Sequence, residues 1–214
     1  MQIVRQKAFS YVITEPLPVR RGFYFKLAAG FQKEVEPHSG MTVNLTDVDS
    51  WLNSFIQKIP ENGFAVSESH PEQILLQARE FLQFCAHGRK AKLVSLSLSE
   101  ERNWSLNWNE SLPAGHFLFE CSHFFESFHA DCKPLLRIFF QWQVSSMKAY
   151  DYPYESLKLL KSCGLDSCAS MEANIDKLAD LCKAELGSTS FLQKIAIENK
   201  AGGYVFHCHA KIHP

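Results

Sequence analysis

The stretch Val35–Leu52, VEPHSGMTVNLTDVDSWL, decides the interpretation of the chain because it combines a turn with the start of a helix. Pro37 to Gly40 is typical of a turn, and Thr46 is predicted to cap the helix that follows. Apolar residues then recur at spacings of three and four, which places them on one helical face: Val48, Trp51, Leu52, Phe55 and Ile59. The stretch therefore predicts a helix that packs one side against a core.

The segments on either side of this helix predict strands and a second helix. Residues 1–34 hold two short apolar alternations separated by a Pro-Leu-Pro segment, as in a strand hairpin. After the first helix, a second one is predicted between Ser69 and Gly88. Residues 92–109 alternate twice, which predicts another hairpin. The first half thus has the order strand, strand, helix, helix, strand, strand.

The second half of the chain repeats this order. Its segments are 115–125 and 135–144 for two strands, 152–164 and 171–187 for two helices, and 191–210 for a hairpin. The second helices of the two halves align at an offset of 100, so that Glu72 matches Glu172 and Leu75 matches Ile175. A period this long indicates two duplicated domains rather than a solenoid. We place them at 1–112 and 113–214.

Composition limits the classes of function. The chain has 214 residues, of which 46% are hydrophobic and 21% charged, as in a folded soluble protein. Its formal net charge of -1 lacks the positive field that non-specific nucleic-acid binding requires. Without a membrane-spanning run or a signal-peptide pattern, we expect a cytoplasmic protein with no membrane partner. The seven cysteines are an odd number without paired spacing, which favours reduced thiols over a disulfide framework.

The run Gly40-Met41-Thr42-Val43-Asn44-Leu45-Thr46-Asp47-Val48 resembles the signature of the 6-pyruvoyltetrahydropterin synthase and 6-carboxytetrahydropterin synthase family. The resemblance extends over nearly all of the first half. It implies an α+β protein built from tandem tunnelling-fold units, each with the order ββααββ and with both helices on one face of an antiparallel sheet. It also implies a homo-oligomer, because such units close into a barrel only when several of them combine.

The resemblance implies a zinc site in the second half. Family members hold zinc with three histidines, and the corresponding positions of the second half are His123, His129 and Asp131. Two histidines and one carboxylate are an acceptable donor set. The alternative is that both histidines are ordinary loop and strand-end residues and that the site has been lost. The segment His207-Cys208-His209 also has metal-binding character, although such a segment is more often an exposed strand end.

The resemblance also assigns candidate catalytic and ligand-binding acids. The family uses a cysteine base and an Asp-His pair, and the nearest equivalents here are Glu126 and Asp166. Asp166, taken alone, is more often a helix cap than an acid catalyst. Glu100 occupies the strand position at which the family binds the pterin ring, and Glu198 lies one residue earlier in the second half, which reverses its face. Both glutamates also fit solvated positions beside turns.

Two functions of different classes follow from this resemblance. The first is zinc-dependent lyase-type chemistry on a pterin or related heterocycle. The second is a non-catalytic protein of the same fold that binds a pterin or purine, or serves in assembly, with a degenerate active site. The aromatic residues between Phe117 and Trp142 alternate within strands, which favours core packing over stacking on nucleic-acid bases. We therefore expect a small pterin-like ligand and self-association, with no nucleic-acid partner.

Overall fold

The structure is a computed structural model, and its chain forms two compact units. It describes residues 2–14, 20–33, 43–61, 71–100, 104–126, 135–144, 151–165, 170–186, 192–201 and 204–211. The first unit consists of Met1–Glu101 and Ser105–Phe117, and the second of Arg102–Trp104 and Leu118–Pro214. A domain boundary between 112 and 113 stays a prediction. In the described ranges, no helix is both long and apolar enough to cross a membrane.

The first unit contains two long strands, two helices and two shorter strands. These elements are β1 Gln2–Thr14, β2 Arg20–Gln32, α1 Leu45–Glu61, α2 Pro71–His87, β3 Lys92–Glu100 and β4 Trp104–Asn109. The strands are neighbours in chain order, and β2 pairs antiparallel with both β1 and β3. The register of β2 against β3 shifts between Gly30 and Phe31.

The second unit has the same order of elements. They are β5 Phe117–Glu126, β6 Leu135–Val144, α3 Asp151–Cys163, α4 Met171–Leu186, β7 Leu192–Ala201 and β8 Tyr204–Lys211. Here β7 pairs antiparallel with both β6 and β8, and the register of β6 against β7 shifts between Gln141 and Trp142. The predicted α+β class and the twofold ββααββ order are confirmed. The shared position of the register shift supports the hypothesis of duplication.

The core of the first unit lies between one face of its sheet and its two helices. Along β2, every second side chain is almost fully buried: Phe25, Leu27, Ala29 and Phe31. The Phe31 ring meets Trp51 of α1 edge-on, with 5.5 Å between ring centroids. Phe55 of α1 and Phe81 of α2 lie 5.9 Å apart. The strict alternation of strand side chains therefore gives this sheet one helix-covered face and one opposite face.

The second unit is built in the same way. Ile138, Phe140, Trp142 and Val144 of β6 are buried, as are Ile195 and Ile197 of β7. On this face, Trp142 Nε1 donates a hydrogen bond of 3.2 Å to Oγ of Ser156 in α3. Cys121 Sγ of β5 lies 3.2 Å from the same Oγ atom. In each unit we call the sheet face opposite the helices the open face.

Side-chain caps start the helices, and one of them differs from the prediction. Asn44 caps α1, because its Oδ1 accepts a 3.0 Å hydrogen bond from the backbone N–H of Thr46. The prediction of Thr46 as the cap is wrong, since Thr46 is already the second residue of the helix. In the second unit, Ser170 Oγ accepts a 3.1 Å hydrogen bond from the backbone N–H of Ala173 and caps α4.

Candidate functional site

The open face of the second unit carries three cross-strand pairs on β6 and β7. Reading along the sheet, they are Arg137 with Glu198, Phe139 with Ala196, and Gln141 with Lys194. These positions alternate with the buried Ile138, Phe140, Ile195 and Ile197, which places their side chains on the other side of the sheet. Register therefore assembles six side chains from two segments that are far apart in the sequence.

A cavity of about 270 Å³ opens on this face. It is lined by Glu120, Phe139, Phe140, Gln141, Lys194 and Ala196. Gln141 Nε2 donates a 2.7 Å hydrogen bond to Glu120 Oε1, which fixes the β5 side of the cavity. The small Ala196 leaves space in the middle row, opposite the aromatic ring of Phe139. The volume lies just below the range of roughly 300–1,000 Å³ that is usual for ligand pockets, so it suits a small molecule.

Arg137 and Glu198 form a polar pair in the row next to Phe139, which lines this cavity. Arg137 Nη1 lies 3.9 Å from Glu198 Oε2, which is within ion-pair distance but too long for a hydrogen bond. The Arg137 guanidinium stacks over the Phe139 ring at 4.3 Å from its centroid. The Glu198 side chain is only 12% exposed. Its Oε2 atom is buried and accepts no hydrogen bond from the described part of the chain.

Glu100 lies on the helix-covered side of its strand, whereas Glu198 lies on the open face of its strand. Glu100 pairs in register with the buried Phe25 and follows Leu98 by two residues, so it belongs to the helix-covered side of β3. Glu198 instead directly follows the buried Ile197 and lies on the open face. The expected reversal of face between the two acids is therefore confirmed. A ring-binding role for either acid stays a prediction.

Of the predicted zinc ligands, the structure describes His123. This residue lies in β5, its Nε2 atom is buried, and its ring meets the Phe140 ring edge-on at 6.1 Å between centroids. Phe140 belongs to the core, so the imidazole contacts the helix-covered side of the sheet. His129, Asp131 and Asp166 lie outside the described residues, as does the side chain of Glu126 at the end of β5. Within the described residues, no three His, Cys, Asp or Glu side chains form a group able to hold a metal.

The described cysteines are poor bases or nucleophiles. Burial raises the pKa of Cys121 to about 11 and that of Cys182 to about 12. It also raises the pKa of Cys85 and of Cys163. These four thiols are therefore protonated at neutral pH, and a thiolate base cannot come from them. The other three cysteines have side chains outside the described part of the chain.

The open face of the first unit has a different chemistry. It also carries a cavity, of about 260 Å³, lined by Val4, Ala28, Ser95, Leu96, Ser97, Asn107, Trp108 and Asn109. The lining side chains are small, amide-bearing or apolar, and none of them is charged. A Cβ atom added to Gly30 would collide with Ser95 Oγ and would come within 2.8 Å of Gln2 Nε2. The two open faces therefore share a geometry but not a set of functional groups.

Sequence reasoning found Glu198 but missed the other members of the second-unit site. The sequence predicts Arg137 and Gln141 only as parts of a strand and gives Lys194 no role. It predicts core packing for Phe139, which is wrong, because Phe139 lies on the open face between the buried Ile138 and Phe140. Their alternation with apolar residues was visible in the sequence and indicates a second, non-core face. Their partners across the sheet depend on the register, which a single strand does not reveal.

Solved structures share this fold at low sequence identity. Uricase from Arthrobacter globiformis aligns with a TM-score of 0.58 and 11% identity, over 98% of this chain and 94% of that chain. A hyper-thermostable mutant of AgUricase aligns with a TM-score of 0.58 and 10% identity, over 97% and 91% of the two chains. No family model matches the sequence, and no curated protein matches it. The chain therefore has the tunnelling fold of uricase, while the more specific resemblance to tetrahydropterin synthases stays a hypothesis.

Proposed function

We propose that this tunnelling-fold protein binds a planar nitrogen heterocycle of the purine or pterin class on the open face of its second unit. The observation that carries the proposal is the buried Glu198 Oε2 atom, which accepts no hydrogen bond from the described residues and belongs to the row beside the cavity. A carboxylate in such a position can accept hydrogen bonds from adjacent ring and exocyclic N–H groups. A buried carboxylate oxygen without a hydrogen bond is costly, so a ligand N–H that donates to Oε2 would stabilise the site.

The neighbouring groups favour a flat ligand. Arg137 stacked on Phe139 presents a planar surface beside Glu198. Aromatic and guanidinium planes are preferred partners of heterocycles, while Ala196 leaves room above the sheet. The cavity volume of about 270 Å³ suits a ring system of one or two rings.

Two independent likenesses support the same ligand class. The structural neighbours are uricases, whose name denotes an enzyme of uric acid, a purine. The Gly40–Val48 run resembles a family that acts on pterins. Guanine and pterin each carry a ring N–H beside an exocyclic NH2 group along one edge, and a carboxylate such as that of Glu198 can accept hydrogen bonds from both.

Zinc-dependent lyase-type chemistry is the second candidate. His123 favours it, because its buried Nε2 atom lies on the strand that leads to His129 and Asp131. A zinc ion held there would polarise a carbonyl group, and Glu126 or Asp166 would move protons. The zinc content per chain tests this candidate. A content near one in the native protein and near zero in the H123A/H129A double variant supports it. A metal-free native protein with an intact fold contradicts it.

Binding of the heterocycle is tested by calorimetric titration with pterin and guanine. Glu198→Gln removes the negative charge and one of the two acceptor atoms, and we expect it to weaken binding by about 10- to 100-fold. Glu100→Gln is the matched control in the first unit, on the helix-covered side of β3, and should leave the dissociation constant unchanged. Absence of binding to the native protein, or equal losses in both variants, contradicts the proposal.

We also propose that the chain self-associates. β1 has 13 residues and pairs with β2 along one side, and no other described strand pairs with it. A long strand edge of this kind tends to pair with another chain unless something covers it. The native mass from light scattering should be at least twice the 24.4 kDa chain mass. A monomer at micromolar concentration contradicts this proposal.

A further inference from the structure

Two lysines face each other across the open face of the second unit. Lys194 of β7 and Lys211 of β8 are direct partners in the antiparallel register, and both side chains are exposed. Lys194 also lines the cavity. Like charges directly opposite each other destabilise a strand pair. A repulsive pair at the rim of a cavity therefore needs an explanation other than sheet stability.

The two described acidic groups of this face form no ion pair with either lysine. Glu120 accepts the hydrogen bond of Gln141, and Glu198 lies beside Arg137 at the other end of the site. Within the described residues, neither Lys194 nor Lys211 takes part in an ion pair. The site thus has a carboxylate at one end and two cations at the other. Glu198 follows Lys194 by four positions on β7, which corresponds to about 13 Å along the strand.

We propose that Lys194 and Lys211 form an anion subsite that receives a carboxylate or phosphate substituent of the ligand. The inference rests on the proposed function, because it assigns the second end of the same bound molecule. The heterocycle lies over Ala196 with its N–H edge at Glu198, and its acidic substituent reaches the lysine pair. An anion between the two ammonium groups turns their repulsion into two attractive contacts. The ligand class is then an acidic purine or pterin derivative.

The experiment compares neutral and acidic forms of the same ring. Pterin and 6-carboxypterin test the carboxylate, and guanosine and guanosine monophosphate test the phosphate, each titrated by calorimetry. The native protein should bind at least one acidic form about tenfold more tightly than its neutral partner. The K194Q/K211Q double variant should lose this preference and bind both forms with similar affinity. The difference in affinity between the acidic and the neutral form should also decrease at high salt, because both lysines are exposed and salt screens their charges.

The matched control is the K158Q/K183Q double variant. It removes the same charge from exposed positions on α3 and α4 of the same unit. It should retain the preference for the acidic form. Native protein that binds both forms of each ring equally overturns the lysine subsite and leaves the proposed function intact. A control variant that loses the preference as fully as K194Q/K211Q also overturns the subsite, because net charge then explains the effect.

A second readout needs no heterocycle. Inorganic phosphate should raise the Tm of the native protein more than that of the K194Q/K211Q variant. Without phosphate, the variant should have a higher Tm than the native protein, because the repulsion between the two lysines is removed. If no heterocycle binds but this phosphate effect depends on the lysines, the subsite stands and the proposed function fails. If phosphate shifts the native protein and the lysine variant equally, the subsite is contradicted.

Discussion

The open faces of the two units occupy equivalent positions in the fold but carry different groups. On the first unit, the register pairs Lys26 with Ser99, Ala28 with Ser97 and Gly30 with Ser95. On the second unit, the same three rows hold Arg137 with Glu198, Phe139 with Ala196 and Gln141 with Lys194. In both units the register shift follows the third row directly. The fold therefore tolerates a complete change of chemistry on this face.

The helix-covered faces show the opposite behaviour. Phe25, Leu27 and Ala29 on β2 correspond to Leu136, Ile138 and Phe140 on β6 by their cross-strand partners. All of them are apolar, and those whose burial is described are at most 2% exposed. Packing against helices thus restricts one face, while the other is available for function. In these rows only the second open face carries a carboxylate and an aromatic ring, which favours the second unit for the proposed ligand site.

The largest expected effect is a difference in stability between alanine variants of two adjacent aromatic residues of β6. Phe140→Ala empties a fully buried core position and should lower the free energy of unfolding by about 4 kcal/mol. Phe139→Ala, on the open face, should cost only about 1 kcal/mol, because less apolar surface is lost. Urea unfolding followed by tryptophan fluorescence measures both. Equal losses in the two variants contradict the assignment of faces.

The next effect concerns the contacts between α3 and the two strands that precede it, β5 and β6. In the second unit, Ser156→Ala removes the hydrogen bond with Trp142 Nε1 and the contact with Cys121 Sγ. The loss should be about 2 kcal/mol, because these groups are buried. Ser162→Ala, at an exposed position of the same helix, is the control and should change stability little. A Ser156 variant as stable as this control shows that the buried network is not stabilising.

A smaller effect tests the crowding on the first open face. Gly30→Ala brings a Cβ atom against Ser95 Oγ and should destabilise the protein by about 1 kcal/mol. Since the collision involves the end of a small side chain, the G30A/S95A double variant should recover most of the loss. Thermal unfolding of both variants gives the answer. No recovery in the double variant places the strain in the backbone instead.

The smallest effect is a pH dependence confined to the first unit. There, Arg5 Nε donates a 3.0 Å hydrogen bond to Asp49 Oδ1 of α1, which lowers the pKa of this carboxyl group. The stabilisation is therefore complete above the unfolded-state pKa of about 4 and is lost as the pH falls through the lower folded-state pKa. Asp49→Asn should reduce the drop in Tm between pH 5 and pH 2. An unchanged pH profile contradicts a contribution from this pair.

The sequence was sufficient for the order of elements because each strand alternates and each helix has one apolar stripe. It also indicated the repeat, since α2 and α4 begin at Pro71 and Met171. The offset of 100 does not hold for side-chain roles in the sheet, where Ser99 matches Glu198. A difference of one residue reverses the face of a strand side chain. For this reason Glu100 and Glu198 resembled each other in the sequence but differ in position.

The proposed ligand site depends on cross-strand pairing, which the sequence of one strand does not show. Arg137 and Glu198 lie in segments that have no sequence relation, and only the pairing of β6 with β7 brings them together. In the same way, Lys194 and Lys211 lie on the two strands of one hairpin and become neighbours only through the pairing of β7 with β8. Likewise, the choice between Asn44 and Thr46 as cap depends on where the first helical turn closes, and both residue types suit that position.

Our central claim is that the ligand binds on the open face of the second unit. The most direct test of this claim fills one cavity at a time by substitutions at equivalent positions of the two units. Ala196→Trp fills the middle row of the second open face, and Ser97→Trp does the same on the first. The dissociation constant of pterin, measured by calorimetry for both variants and the native protein, compares the two units. Our account predicts that the Ala196 variant no longer binds pterin while the Ser97 variant keeps native affinity. Binding that survives in the Ala196 variant and disappears in the Ser97 variant contradicts it.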